Sequence, residues 1–445
     1  MKQINLTSGS LWSGIFIFSI PLVFSNILQV LFNLADVAVV GRFAGPLSLG
    51  AVGSTPQLIF FFVGILQGIG GGVNVIAAYN VGAREKKDLS ETVHTSFIIC
   101  LLFGIGILVL CQIFAVPVLS ILKTKDELIE LAALYVKIYV LSMPATAIYN
   151  WGNALLNAIG DTKRPLIFLL IAGIINVVLN FIFVIVFNMD VAGVAWASVI
   201  SQYISAILIL ITICKGSQDI KLDFKKLKLS SSKVKRILRI GLPAGLQNSI
   251  FAFANMFIQF GVNSFDSMTV AGISASSQAD PICYEMMAAF YAAGASFIGQ
   301  NHGAGNKERV KQTYLISMLY SFVAAVIFSV ILWIFRYEFM NLFTTNKAVI
   351  DSGIKRIAIM CLTYGCSCLM DNTIAACRGL GHTIVPSLVV SIGSCLFRIV
   401  WIYTVFAYFG TINSLFALYA VSWTLTGIAE IFYFIYIFKK EFKYK

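Results

Sequence analysis

Twelve apolar blocks, most of them about as long as a helix must be to cross a bilayer, constrain this chain more than any other feature. They run over residues 12–40, 48–78, 93–116, 128–152, 165–187, 191–214, 240–263, 270–299, 313–335, 350–377, 384–408 and 414–438. In hydrocarbon every backbone N–H and C=O must be bonded within its own segment or in a closed barrel, so blocks of this length read as helices. The longest of them predict tilt or projection beyond the lipid. Composition agrees: the chain is 59% hydrophobic and 12% charged, where a soluble domain has roughly 45–50% and about 25%. Soluble, disordered, fibrous and disulfide-rich secreted classes are excluded, and the expected fold is an all-α integral membrane protein. The first block starts near Leu11. It is too long for a signal-peptide core and has no small-residue cleavage pattern after it, so it reads as an uncleaved first helix.

Basic residues in the short loops set the orientation. With the N-terminus inside, the cytoplasmic side holds Lys2, Arg84, Lys86, Lys87, Lys163, Arg164, the run from Lys215 to Arg239, Lys307, Arg309, Lys311, Arg378, Lys439, Lys440, Lys443 and Lys445. The outer side holds only Arg42, Lys123, Lys125, Arg336, Lys347, Lys355 and Arg356, leaving Lys137 and Arg398 in the bilayer. The chain is therefore expected in the plasma (inner) membrane with both termini cytoplasmic. The net charge of +12 is spent on topology, and nucleic acid is not an expected partner.

The long polar stretch 215–239 divides the chain into an N-lobe, 1–214, and a C-lobe, 240–445, of six spans each. It reads as a basic cytoplasmic linker, although its last part has the makings of a basic amphipathic helix on the inner leaflet. The halves repeat one another. A shift of 222 lays Pro21 on Pro243, Asn26 on Asn248 and Gly50 on Gly272. A shift of 221 lays YNVGA (79–83) on QNHGA (300–304), and matches Gly160 to Gly381, Thr162 to Thr383 and Pro165 to Pro386. An even number of spans per half keeps the repeats in one orientation, giving two pseudo-symmetric six-helix bundles. Such chains bind substrate between the halves near the midplane, which points to secondary transport.

Charged and polar groups inside spans are the functional candidates, because each costs about 2.5–3.5 kcal/mol at the bilayer centre. Asp36 shares a helical stripe with Gln29 and with Phe32 or Asn33, beyond Pro21; the alternative is a structural pair with Arg42. Asn176 and Asn180 stand at i, i+4 in the fifth span, and Ser198 follows in the sixth. Their oxygens suit Na⁺, a lone carboxylate among amides equally holds a proton, and interhelical hydrogen bonding is the plain alternative. In the second half Asp371 is the counterpart of Asn150 at the 221 shift, Asp280 and Glu285 flank Pro281, and Glu430 is placed to pair with Arg398. The GIGGG run at 68–72 lacks a preceding strand and a following Lys-Ser/Thr, so it reads as close helix packing or a hinge rather than a phosphate loop. The nine cysteines and three histidines show no metal-ligand spacing. No nucleophile–base set is visible, so the chain is read as a non-enzyme without a cofactor.

The segments IPLVFSNILQVLFNLADVAVVGRFAGPLSLGAVG (20–53), YNVGARE (79–85), NVVLNFIF (176–183), GQNHGAGNKE (299–308) and RGLGHTIVP (378–386) make the chain resemble the multidrug and toxic compound extrusion family, MATE, over essentially its whole length. The resemblance implies a twelve-helix, two-lobed antiporter that exports organic cations and other xenobiotics, driven by H⁺ or Na⁺. It implies a cation-coupling site at Asp36, Asn176, Asn180 and Ser198, with Na⁺ held by Asp36, Asn176 and Asn180 if Na⁺ is the ion. It further implies that Gln29 and Asn153 line the N-lobe cavity, that Asp371 is the family's span-ten acid, and that the first helix bends at Pro21. With Asn33, Asp280 and Glu285, read from their places in the spans, Gln29, Asn153 and Asp371 make up the expected substrate cavity. Two departures lower the negative charge: Asn180 stands where the family often has a second carboxylate, and Gln247 and Asn248 stand where some Na⁺-coupled members have an acid. One carboxylate suffices for a proton or a weakly held Na⁺, which tilts the reading toward the proton. The expected partners are a small-molecule substrate and the lipid bilayer, and the expected state is a monomer. A flippase or exporter of a lipid-linked or specific natural metabolite is the alternative. It is disfavoured because only Lys137 and Arg398 fall inside spans.

Overall fold

The computed structural model describes residues 4–121, 124, 126–216 and 220–443. Lys2, Lys123, Lys125 and Lys445, used above for orientation, lie outside the described residues. Among the described residues all regular structure is helical. Eleven helices are long and apolar enough to cross a membrane: α1 Leu11–Ala44, α2 Leu47–Gly82, α3 Lys86–Ser120, α4 Asp126–Ala158, α5 Lys163–Val186, α6 Asp190–Cys214, α8 Ser267–Gly303, α9 Lys307–Ile334, α10 Lys347–Gly379, α11 Ile384–Phe409 and α12 Ile412–Glu441. Between α6 and α8 runs α7, Ser231–Val262, which completes the twelve. It opens on Lys233, Lys235, Arg236 and Arg239 and carries Gln247, Asn248 and Asn255 within the predicted span.

Each predicted block falls in one helix, but the helices run on past the apolar stretches, most of all α7, which starts at Ser231 rather than near 240. Hydropathy marks the lipid core, whereas the i→i−4 ladder continues wherever propensity allows. The same difference moves two arginines. Arg356 and Arg378, assigned to loops by charge counting, both lie within α10.

The chain resolves into two compact units, one comprising residues 1–5 and 24–249 and the other 6–23 and 250–445. The division cuts through α1 after Val23 and through α7 after Ser249, and both helices continue through their prolines, Pro21 and Pro243. In the first unit α2 and the start of α7 cross with backbones almost touching. A Cβ on Gly68 would stand 2.2 Å from Gly245 N, and one on Gly241 would stand 2.7 Å from Ile69 Cα. Small residues at i, i+4 and i+8 (Gly64, Gly68, Gly72) against Gly241 and Gly245 allow that approach. The glycine run thus packs helices, as its composition predicted.

Two prolines follow breaks in helices. The α2 helix breaks at Ser54–Thr55 before Pro56, and α8 breaks at Gln278–Ala279 before Pro281. In each case the proline sits in the first turn of the following helix, where its missing N–H leaves no bond unmade, and it has no N–H to continue the preceding one.

The duplication is visible in the backbone. Gly160 and Gly381, matched at the 221 shift, both adopt φ +86°. Each closes its helix in the same way. Gly160 N–H donates to Asn157 O and Asp161 N–H to Leu156 O; Gly381 N–H donates to Arg378 O and His382 N–H to Cys377 O. This is the Schellman pattern, which needs a left-handed residue and so selects glycine. Arg84 and Gly305, also 221 apart, repeat it with φ +59° and +72°.

Candidate functional site

In the first unit Asp36 is brought against α5 and α6. Phe32, one turn earlier, lies over Gly173 of α5 so closely that a Cβ there would meet its ring at 1.9 Å. Absence of a side chain at 173 therefore lets this face of α1 approach α5. Asn180 Nδ2 donates to Asp36 Oδ1 (2.5 Å) and to Asn176 Oδ1 (3.3 Å). Ser198 Oγ donates to Asp36 Oδ2 (3.3 Å), and Asn176 Nδ2 donates to Ser198 Oγ (3.4 Å). All four residues are buried, with Asp36 only 9% exposed. The stacked rings of Tyr135 and Tyr139 in α4, 5.8 Å apart, lie within electrostatic range of the carboxylate.

The Asp36–Arg42 pair does not form, since Asp36 is held by neutral donors from neighbouring helices and Arg42 is exposed. The cluster offers both Asp36 oxygens, Asn176 Oδ1 and Ser198 Oγ in one place. Asn180 Oδ1 is buried without a hydrogen-bond partner, so rotation of that amide would add a fifth oxygen. Hard cations take such oxygens, and a carboxylate surrounded by neutral dipoles is also a one-proton acceptor.

The predicted stripe on α1 divides into a buried and an exposed part. Asp36 is buried, whereas Gln29 and Asn33 are exposed. At 100° per residue Asn33 is turned away from the Phe32–Asp36 edge that meets α5. Asn153 lies in α4 with Oδ1 buried and unbonded, as are Asn150 Nδ2 and Asn157 Oδ1. Beside this row Asn74 of α2 donates to Ala154 O (2.9 Å). The i, i+3, i+7 spacing of Asn150, Asn153 and Asn157 is a signal in the sequence, of which the expected cavity includes only Asn153.

In the second unit Asp280 is tied down by a bidentate contact from Arg356, Nη2 at 2.5 Å and Nη1 at 3.3 Å, and by Tyr364 Oη at 2.5 Å. Arg356 is 3% exposed and also stacks over Phe416 at 4.8 Å. Asp371 on α10 and Glu285 on α8 are both half-buried. The expected Glu430–Arg398 pair does not form among the described residues. Glu430 is fully buried and neither carboxyl oxygen has a hydrogen-bond partner. Arg398, 2% exposed, instead donates to Asn255 Oδ1 (3.0 Å) and lies over the rings of Tyr419, Trp423 and Phe251. Helix rotation sends the two side chains to different neighbours. His302 and His382, which showed no ligand spacing in sequence, both reach Glu441, at 3.2 and 3.0 Å. No group of three or more His, Cys, Asp or Glu among the described residues is arranged to hold a metal ion.

Comparison with known proteins bears on all of this. The MatE family model matches residues 21–182 and again 243–404, two copies offset by the shift of 222 that aligns Pro21 with Pro243. Among curated proteins, the chain is 26% identical over 393 residues to the probable multidrug resistance protein YpnP of Bacillus subtilis (strain 168), covering 87% of this chain and 88% of that one. It is 24% identical over 341 residues to an FAD transporter of Shewanella oneidensis, covering 75% of each. Among solved structures, an outward-facing multidrug resistance MATE family transporter of the MOP superfamily superposes with a TM-score of 0.92. It is 22% identical and covers 100% of this chain and 99% of that one.

Proposed function

The chain belongs to the MatE family of membrane transporters, and from that premise we propose that it is a cation-coupled antiporter exporting organic cations and other xenobiotics by alternating access. Its two halves, 1–214 and 240–445, are the moving lobes, and Asp36 is the coupling group. The observation that carries the reading is the buried cluster in which Asn180 and Ser198 hold Asp36 at 2.5 and 3.3 Å. An ionised carboxylate this deep is tolerable only while donors or a cation satisfy it. Binding of H⁺ or Na⁺ neutralises it and reorders those donors, which changes how α1 packs on α5 and α6. Coupling follows if the cation and the substrate prefer different states of the protein. With Asn180 in place of a second acid the cluster carries one charge, which favours a single proton. The protein works as a monomer in the plasma membrane with both termini cytoplasmic.

The test is efflux of a fluorescent organic cation from proteoliposomes under a pH gradient and, separately, a Na⁺ gradient. Transport under one gradient, abolished by Asp36→Asn, is the expected result. An Asp36→Asn protein that still exports at an unchanged rate overturns the role given to Asp36.

A second reading, export of an anionic natural metabolite, draws on Arg398. Its guanidinium is buried with no carboxylate at ion-pair distance among the described residues and with aromatic rings around it, an arrangement suited to a planar acidic ligand. The similarity to the FAD transporter points the same way. If neither gradient drives an organic cation but an acidic flavin nucleotide is moved, and Arg398→Gln abolishes that movement, this second reading replaces the first.

A further inference from the structure

The segment between the halves is a docked strap rather than a free linker. Ile220 and Leu222 are buried in the first unit, and three polar contacts hold the strap to α3. Asp223 N–H donates to His94 Nε2 (3.1 Å), and the other ring nitrogen, Nδ1, meets Ser90 O (2.7 Å). Since Nε2 accepts, Nδ1 carries the proton, and the imidazole is a fixed bridge between α3 and the strap. Thr95 Oγ1 donates to Lys228 O and accepts from Ser230 N–H, both at 3.2 Å.

What the strap leaves outward is an alternation of apolar and basic side chains. Phe224, Leu227 and Leu229 are exposed at 53%, 36% and 50%, and Lys225, Lys226 and Lys228 between them are exposed too. Beneath them, between strap and α3, is a cavity of about 400 Å³ whose walls include Lys226, Lys228, Ser90, Ser231, Leu229 and Glu91. Its α3 wall, Ser90 to Thr95, straddles residue 93, where the third apolar block begins. The cavity therefore opens at the boundary between lipid and water.

We propose that this cavity binds the headgroup phosphate of an acidic phospholipid from the adjoining leaflet. The volume lies within the range of small-molecule sites, about 300–1,000 Å³. Lys226 and Lys228 supply the positive charge. Among the described residues Lys226 makes a long contact of 4.0 Å to Asp223 and is 74% exposed, so it can swing onto a phosphate. Ser90 and Ser231 supply hydroxyls, and Leu229 lies against the glycerol and upper acyl carbons while Phe224 and Leu227 enter the headgroup–acyl boundary. Glu91 on the wall repels a second negative charge, which selects a phosphodiester with one charge over a phosphomonoester with two. The site is separate from Asp36 and independent of what is transported.

The experiment uses the purified full chain in nanodiscs, with phosphatidylglycerol titrated against phosphatidylcholine and bound lipid counted by native mass spectrometry. Each lysine at an anionic surface contributes about fivefold in affinity, so Lys226→Gln/Lys228→Gln should lose about twentyfold or more of the phosphatidylglycerol binding. Lys225→Gln, which is off the cavity wall, should change it less than about twofold. Glu91→Gln should tighten it, a gain of function that a misfolded variant could not give. Inorganic phosphate at millimolar concentration should not displace the lipid. The proposal fails if the two lipids bind alike, or if Lys225→Gln costs as much as the pair. It also fails if Glu91→Gln does not tighten binding or inorganic phosphate competes as well as lipid.

Discussion

Replacing Gly68 by alanine should be the most damaging single-methyl change in the α2–α7 crossing. The new Cβ would lie 2.2 Å from Gly245 N, 2.4 Å from Gly245 Cα and 2.8 Å from Gly241 O. Carbon contacts settle near about 3.5–4.0 Å, so the two backbones must part by more than about 1 Å. None of the atoms in the way belongs to a side chain that can rotate aside. A gap of that size forfeits up to roughly half of the dispersion well at every contact along the crossing, including Gly64 on Asn248 and Gly72 on Gly241. Overpacking of this kind costs about 1–3 kcal/mol, and a purely backbone obstacle belongs at the upper end. The helix propensity of alanine over glycine returns about 1 kcal/mol, leaving a net loss of about 2 kcal/mol. Gly71 provides the control, because a Cβ there meets nothing within 4 Å. Gly72 is intermediate, with its nearest backbone atom at 2.9 Å. Thermal unfolding of the three alanine variants in one detergent should give Gly71→Ala at or above wild type, then Gly72→Ala, then Gly68→Ala lowest. If Gly68→Ala melts with Gly71→Ala, the helices are not in backbone contact and the crossing described here is wrong.

Three further outcomes follow from single contacts. Glu430 is fully buried with both oxygens unbonded, so Glu430→Leu should leave thermal stability unchanged or raise it by about 1–2 kcal/mol; a loss of that size would mean the carboxyl has a polar partner. Lys233 is buried in the start of α7 against a 43% exposed Asp88, and Asp88→Asn strands its ammonium, costing about 1–2 kcal/mol once the exposed partner is discounted. The double variant Asp88→Asn/Lys233→Met should regain most of this, and equal stability of the single and double variants would dismiss the pair. Asp266 caps α8 by accepting from Met268 N–H, Thr269 N–H and Thr269 Oγ1, and the Thr269 hydroxyl first of all holds its carboxyl below the ordinary aspartate range. A depressed value stabilises the fold above the unfolded-state pKa and loses that contribution as pH falls through the folded value. The advantage of wild type over Asp266→Asn should therefore shrink on acidification, and an advantage constant with pH would contradict the charged cap.

Part of the candidate site is legible in the sequence. Asp36, Asn176, Asn180 and Ser198 stood out because polar groups are costly inside apolar blocks, and the fold joins all four in one hydrogen-bonded cluster. Other groups depend on how neighbouring helices are turned. Gln29 and Asn33 are exposed on α1, while the Phe32–Asp36 edge lies against Gly173 of α5. Arg398 and Glu430 had the right charges on adjacent spans, but side chains on two helices meet only if both rotations agree.

The sequence by itself determined the spans, the duplication and the ends of the repeated helices, because each is a local or periodic property. Hydropathy is summed over about 20 neighbours, and a Schellman turn needs one residue able to take positive φ, which Gly160 and Gly381 supply. Only the tertiary structure decided which buried groups are satisfied. It pairs Asp280 with Arg356, leaves Glu430 bare, and lays residues 220–230 on α3 through His94 and Thr95. Those outcomes depend on the distance and rotation between helices far apart in the chain. These in turn depend on where a glycine such as Gly68 or Gly173 lets two helices come close, and no single span records that.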